Sequence, residues 1–547
     1  MKRTYKKDKQ HHFRPLFYIL LLVMVFQSPD SSGQEGRLKV GINSGWQFSK
    51  NTEGTSVSWE NVSLPHTWND RDVNDDEPGY YRAVCVYRRE LKVDKAWKKK
   101  NVFLFFEGAN QIADVWVNGK KAGSHTGGYT GFSVRIDQLV SFEEGARNEI
   151  LVRVDNRHNE DIPPLSADFT FFGGIYRDVF LIATDQIHFS LDHGSKGIYV
   201  STPRVSENEA SLHIRSDLEN TSEKDQRIRV RTTLRDPNGR IVGEKTSLVV
   251  LKKGRQTPLQ QHLSSIHQPK LWSPESPVLY HVLVQVLDVR SDVILDEVSG
   301  PVGFRWFRFD AQSGFHLNGK PYKLIGASRH QDFKGLGNAL PDSYAIEDVR
   351  LLKAMGGNFL RVAHYPQDPA VLEACDRLGL LASVEIPVVN AITETEEFYQ
   401  NCKSMQVEMI RQNFNHPSVI IWAYMNEVLL RMKFVGEPDR QKIYLANVAR
   451  LAKELEVLTR KEDPSRYTML AHHGDFNRYK DAGLIDIPMI TGWNLYQGWY
   501  SGNIHGFASF MDKFHLSSRT SRWSSPNTEQ MRIPAFARKP LSALIKA

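Results

Sequence analysis

From residue 36 to about 300, hydrophobic positions alternate with polar ones over short runs rich in β-branched and aromatic residues, bounded by turn formers. A period of two predicts strands. Val102–Phe106 and Asp114–Val117 are expected strands, and Asn118-Gly119 is an expected hairpin turn because both residues tolerate positive φ. A second hairpin is expected where Arg229–Leu234 runs into Asp236-Pro237-Asn238-Gly239. Two all-β units fit this stretch, 36–184 and 185–303, divided where the run Val179–Ile182 ends.

After residue 304 the apolar positions recur at helical spacing between short buried strands. A strand is predicted over Tyr322–Gly326, then a helix over Ser343–Met355 stopped by Gly356-Gly357, then strand Phe359–Val362. The next helix takes Asp368 as N-cap and Pro369 as its first residue, and ends at Gly379. Strands Leu380–Ile386, Val419–Tyr424, Tyr467–Ala471 and Met489–Trp493 continue the alternation. Six β/α steps in a row predict a parallel sheet, and its expected closure is a (β/α)8 TIM barrel left incomplete, over 304–515. The fold class is thus multidomain β plus α/β.

The composition is that of a folding chain: of 547 residues, 41% are hydrophobic and 24% charged, so neither disorder nor a disulfide scaffold is indicated. The net charge of +7 points towards a polyanion until it is located. Six Lys/Arg face one Asp in residues 1–15, and six face Glu529 in 516–547, leaving a slightly acidic body and no support for nucleic-acid binding. The basic start precedes the apolar run Leu16–Phe26 and small polar residues, so 1–33 is expected to be a signal peptide, exporting the protein to the periplasm or the exterior. That run is shorter than the about 20 residues of a span, so no stable membrane insertion is expected. Cys85, Cys375 and Cys402 are too few for a disulfide framework and lack metal-ligand spacing, and no cofactor or metal is indicated.

In a barrel of this kind, chemistry sits at the C-terminal ends of the strands. Glu427 ends the apolar run Val419–Met425 after Asn426. A carboxyl walled by aromatics at a barrel mouth is expected to be desolvated, which raises its pKa and suits proton donation. The bland alternative is a helix cap or an ion pair. Other polar residues at strand ends include His330, Arg361, His364, Glu385 and Asn494.

These features, with Leu64-Pro65-His66-Thr67-Trp68, Gly79-Tyr80-Tyr81-Arg82, Gly173–Val179, His364-Tyr365-Pro366, Cys375-Asp376-Arg377 and Asn415-His416-Pro417-Ser418, resemble glycoside hydrolase family 2, the β-galactosidase and β-glucuronidase family. The resemblance spans about 37–515. It implies a jelly-roll sugar-binding domain (36–184), an immunoglobulin-like sandwich (185–303) and a catalytic barrel, acting on a carbohydrate substrate as a retaining exo-β-glycosidase similar to β-galactosidase. β-Glucuronidase and a non-catalytic carbohydrate-binding pseudoenzyme are the alternatives, and a homo-oligomer is left open. By the same resemblance Glu427 is the acid/base and Asn426 the donor to the sugar 2-hydroxyl. His330, Arg361 and His364 form the polar wall of the −1 sugar, Asp168 reaches the sugar from the jelly roll, and Tyr496 contacts the nucleophile. The metal-binding members carry a Glu and a His after the third strand, where this chain has Val388-Val389-Asn390-Ala391.

A retaining mechanism needs a second carboxylate about 5–5.5 Å from the first. The family supplies it in a Ser/Thr-Glu-Tyr-Gly-Ala motif that is absent here, and 516–547 is basic and aperiodic. Starting each codon behind residues 518–536 on the third base of the present one permits Asp-Lys-Pro-Leu-Val-Ile-Ser-Glu-Tyr-Gly-Ala, its Glu straddling Pro526 and Asn527. The expectation is a frameshifted tail, a C-terminally truncated family resemblance and impaired turnover. Glu385 as a replacement nucleophile is the minor alternative. Sequencing the encoding DNA checks the shift: the second frame should carry the motif, and a verified frame without it refutes the expectation.

Overall fold

A computed structural model describes residues 36–50, 58–72, 74–77, 79–500, 502–519 and 531–532. The expected signal peptide lies outside these residues, as does most of the 516–547 tail.

The first sandwich pairs a four-stranded antiparallel sheet (Leu38–Gly41, Val179–Thr184, Asn101–Phe106, Phe132–Arg135) with a six-stranded one centred on Val84–Leu91 and Asn148–Asp155. Alternate residues of both sheets, among them Leu104, Phe106 and Leu181 from one and Tyr87, Val115 and Val152 from the other, form a common core. Asn118 and Gly119 turn between Ile112–Val117 and Lys120–Thr126 with φ of 50° and 76°, as their sequence predicts. The second sandwich repeats the plan with sheets built on Glu209–Asn220 and Gln226–Arg235, and Val230, Leu234, Val282 and Val284 lie in its core.

The last unit is a parallel sheet in strict sequence order: Gly326–Arg329, Phe359–Val362, Leu381–Glu385, Val419–Asn426, Tyr467–His473, Ile490–Asn494 and the two-residue Met531–Arg532. Among the described residues its outer strands do not pair, so the barrel is open. Helices α1 (Asp342–Ala354), α2 (Pro369–Leu378), α3 (Glu396–Asn413), α4 (Pro438–Glu462) and α5 (Phe476–Asp481) separate the strands, and α6 (Gly506–Arg519) follows the sixth. Helix α2 starts and stops as its sequence dictates: the Asp368 carboxylate accepts from Ala370 N, and Gly379 ends it at φ 78°.

The first strand begins four residues later than its pattern suggests. Asn358 is the cause, because its side chain accepts from Ile325 N (2.8 Å) and donates to the Lys323 carbonyl (2.8 Å), occupying groups a ladder would use. Below the sheet, Phe309, Phe315 and Leu317 from a short antiparallel hairpin pack on Phe359, Leu381, Ile421 and Met469 and fill the lower mouth. All three cysteines are buried and unpaired, in line with a packing role.

Helix α3 and the turn after it grip both sandwiches. The Gln412 amide donates to the carbonyls of Gly131 (2.8 Å) and His193 (2.6 Å), and Glu408 accepts from Thr130 (2.6 Å). Asn415 then exchanges two bonds with strand Ile198–Ser201.

Candidate active site

The upper ends of the second, third, fourth and sixth strands bring Arg361, Glu385, Asn426 and Asn494 into one buried network. Arg361 is its hub. Its Nε and Nη2 donate to the two Glu385 oxygens at 3.0 Å each, Nη2 also to Asn426 Oδ1 (2.8 Å), and Nη1 to Asn494 Oδ1 (3.1 Å). His364 Nδ1 lies 2.5 Å from Glu385 Oε1. The Glu385 carboxyl would be raised by burial, but the charge of Arg361, then His364 and the bonds from both, hold it down at about 2. It stays ionised with both oxygens engaged, which removes it as a nucleophile candidate on geometric grounds.

With its oxygen fixed by Arg361, the Asn494 amide nitrogen donates to Asn426 Oδ1 (2.9 Å) and Glu427 Oε1 (2.7 Å). Tyr496 adds its hydroxyl to the same Glu427 oxygen at 3.3 Å. The tyrosine therefore touches the acid/base candidate itself, where the family resemblance places it on the other carboxylate. Because the Asn426 oxygen is taken twice, the amide nitrogen remains as the group Asn426 can offer a ligand. Glu427 has φ 50°, a left-handed backbone costing about 1–2 kcal/mol in a non-glycine residue, held by Glu427 N on the Ala471 carbonyl (2.7 Å) and by Leu430 N on the Glu427 carbonyl (2.7 Å).

Glu427 opens on a cavity of about 680 Å³, whose wall also includes Asp168, His473, Asp475, Asn494 and Tyr496. Asp168 arrives there on a loop of the first sandwich. Its neighbour Phe169 is buried edge-on against Tyr365 (5.0 Å) and beside His330 (5.4 Å) and His364 (6.1 Å), and Asn390 Nδ2 donates to the Ser166 carbonyl (3.1 Å). His330 pairs with the Tyr365 hydroxyl at 3.3 Å. Of the sequence-derived candidates, Glu427, Asp168 and Tyr496 line the cavity; Asn426 adjoins Glu427 in the chain, and Arg361, His364 and His330 are linked to that strand end through the buried network and the rings around Phe169.

Sequence marks Asn494 as a polar residue at a strand end but gives it no role; the structure makes it the link between Arg361 and Glu427. His473, at the end of the fifth strand, also lines the cavity without a role assigned from sequence. Burial, then the charge of Arg478, lowers its imidazole to about 4, so it lines the cavity neutral at pH 7. Among the described residues no three His, Cys, Asp or Glu side chains gather where one metal ion could sit.

Comparison with known proteins follows this division of the chain. Three family descriptions match in series: "Glycosyl hydrolases family 2, sugar binding domain" over 30–185, "Glycosyl hydrolases family 2" over 196–305, and "Glycosyl hydrolases family 2, TIM barrel domain" over 311–503. A putative β-glucuronidase of Formosa agariphila is 36% identical over 92% of this chain and 59% of its own. The structure of a calcium-binding mutant of Bacteroides uniformis β-glucuronidase 2, in which two aspartates are replaced by alanine, superposes with a TM-score of 0.83 at 41% identity, over 88% of this chain and 58% of that one. A putative β-galactosidase from Bacteroides fragilis gives 0.81 at 32% identity, over 88% and 70%. The chain thus spans less than two thirds of the Formosa and B. uniformis proteins.

Replacing Glu385 by Gln should cost about 3–5 kcal/mol in urea unfolding, because it strands the buried Arg361 charge. The Glu385 carboxyl is depressed in the folded state, so its contribution is present above the unfolded value near ~4.3 and lost as pH falls towards 2. Wild type should lose stability across that window more steeply than Glu385→Gln.

Proposed function

Since the chain belongs to glycoside hydrolase family 2, we propose that it acts on terminal β-linked sugars as a retaining β-glycosidase. The observation that carries this reading is Glu427, its carboxylate held by Asn494 and Tyr496 on a left-handed backbone and facing a cavity that Asp168 enters from the first sandwich. Glu427 protonates the glycosidic oxygen as the bond breaks, then takes a proton from the attacking water. The Asn426 amide nitrogen meets the 2-hydroxyl, a bond that strengthens as positive charge develops on the ring. Asp168 takes further hydroxyls, while His473, engaged by Tyr479 and Arg478, shapes the wall. The names of the F. agariphila and B. uniformis relatives favour a β-glucuronidase over a β-galactosidase. We assign the nucleophile to the motif in the shifted frame, and export to residues 1–33.

A panel of chromogenic β-glycosides tests this reading on the protein with that frame restored. The glucuronide should be cleaved fastest, and Glu427→Gln should lower kcat/KM by on the order of 10²–10⁴. Full activity in Glu427→Gln would remove the assignment.

A calcium site is the second proposal. The two aspartates replaced in the B. uniformis mutant have the same separation along their chain as Asp342 and Asp368. Asp342 opens α1 and Asp368 caps α2, and Asp178 and Glu107 of the first sandwich lie within electrostatic reach. Burial first, with repulsion from the other acids adding to it, raises the carboxyls of Asp368, Asp178 and Glu107, the last to about 8. Asp342 and Asp368 offer calcium hard oxygens, and because no three acids gather there among the described residues, main-chain and water oxygens would make up most of the six to eight ligands it takes. Sequence spacing alone does not expose such a site. In calcium-stripped protein, added calcium should raise Tm by several degrees, and the Asp342→Asn, Asp368→Asn double variant should lose that rise. Asn at 368 keeps an acceptor for Ala370 N, so loss of the cap does not obscure the result.

A further inference from the structure

The opposite end of the fourth strand from Glu427 borders a separate cavity of about 460 Å³, at the seam between the second sandwich and the loops entering the fourth and fifth strands. Its polar lining comprises Ser201, Thr202, His213, Asn415, Ser465 and two arginines, and among the described residues no Asp or Glu lines it. Arg466 is accounted for within the protein. Its Nη1 pairs with Asp463 (2.6 Å), Nε donates to the Val419 carbonyl (2.8 Å), and Nη2 to those of Phe414 (2.7 Å) and His416 (3.0 Å).

Arg305 differs. The residue is 9% exposed, Nη2 shares the Val419 carbonyl at 3.1 Å, and among the described residues Nε has no hydrogen-bond partner. Asp376 and Asp463 act on it at a distance, but no carboxylate pairs with it among the described residues. Burial, then the Arg466 charge, brings its guanidinium down to about 9, so it remains a cation at neutral pH. The His213 Nε2 atom also has no partner, its ring stacked on His262 at 4.4 Å. Asn415 is already spent on strand Ile198–Ser201.

A buried cation lacking a contacting counter-ion is costly, and a guanidinium presents its donors as a planar fork matched to oxyanions. The absence of acid from the wall gives the cavity one sign of charge, and its hydroxyls can complete the bonding of a small polyoxygen ligand. We propose that this seam cavity binds a small oxyanion of the phosphate, sulfate or carboxylate class through Arg305 and the hydroxyls of Ser201 and Thr202. Occupancy then ties the second sandwich to the floor of the barrel. The site is independent of the catalytic reading, since it shares no residue with the Glu427 cavity.

Thermal unfolding of the whole chain in chloride, inorganic phosphate, sulfate and free glucuronate, at matched pH and ionic strength, tests the proposal, with phosphate titration calorimetry alongside. Phosphate and sulfate should raise Tm with the logarithm of their concentration beyond the chloride baseline. A comparable glucuronate response identifies carboxylates as a second source of the ligand, and its absence restricts the site to inorganic oxyanions. Arg305→Lys should weaken phosphate binding roughly tenfold. Thr202→Asp, which fixes a carboxylate on the wall, should abolish the response and raise Tm in chloride, and it carries the test if Arg305→Lys does not fold. A phosphate effect equal to that of chloride, or undiminished in Thr202→Asp, overturns the proposal.

Discussion

Arg361 is the constraint on which the upper face of the barrel depends. A guanidinium buried this deeply has to be matched by a carboxylate and by acceptors for its remaining donors. Glu385 supplies the first, and Asn426 and Asn494 supply the second. Satisfying the arginine orients both amides, because each must turn its oxygen towards it. The Asn494 nitrogen is thereby aimed at Glu427, and the Asn426 oxygen is taken by both Arg361 and Asn494. A buried charge thus sets the direction of the two amides beside Glu427. The strain in the Glu427 backbone is tolerated because the strand end is fixed by these neighbours.

The first sandwich completes this arrangement by packing. Phe169 is the anchor that places Asp168, and it works through contact with three aromatic rings on the barrel. Arg177 reinforces the junction, donating to the carbonyls of Tyr129 (3.1 Å) on its own side and of Pro366 (2.7 Å) across the boundary. An exposed carboxylate on a long loop would otherwise sample many positions, and ordering it on binding would weaken binding.

Much of this was legible in the sequence because it is written in short-range patterns. Strand alternation, the Asn118-Gly119 turn and the Asp368 and Gly379 caps each depend on a few neighbouring residues, and each appears where the pattern puts it. The first barrel strand was misplaced because Asn358, more than thirty residues away, takes over its ladder groups. Glu427 stood out from its position and from family resemblance, but the part played by Asn494 did not. An asparagine at a strand end looks the same whether it is solvated or suspended between an arginine and a glutamate. The burial of Arg361 in its network and the acid-free lining around Arg305 likewise emerge only when distant segments are assembled.

The grip of α3 on both sandwiches sets how this molecule can move. Glu408, Gln412 and Asn415 fasten three units to one stretch of chain, so the junctions offer no hinge about which a lobe could swing. Large-scale clamping around a guest is therefore unavailable as a timing device. The cavity keeps its shape without the movement of a lobe, and what changes its mouth is side-chain rotation and the breathing of surface loops, motions faster than the rearrangement of whole lobes.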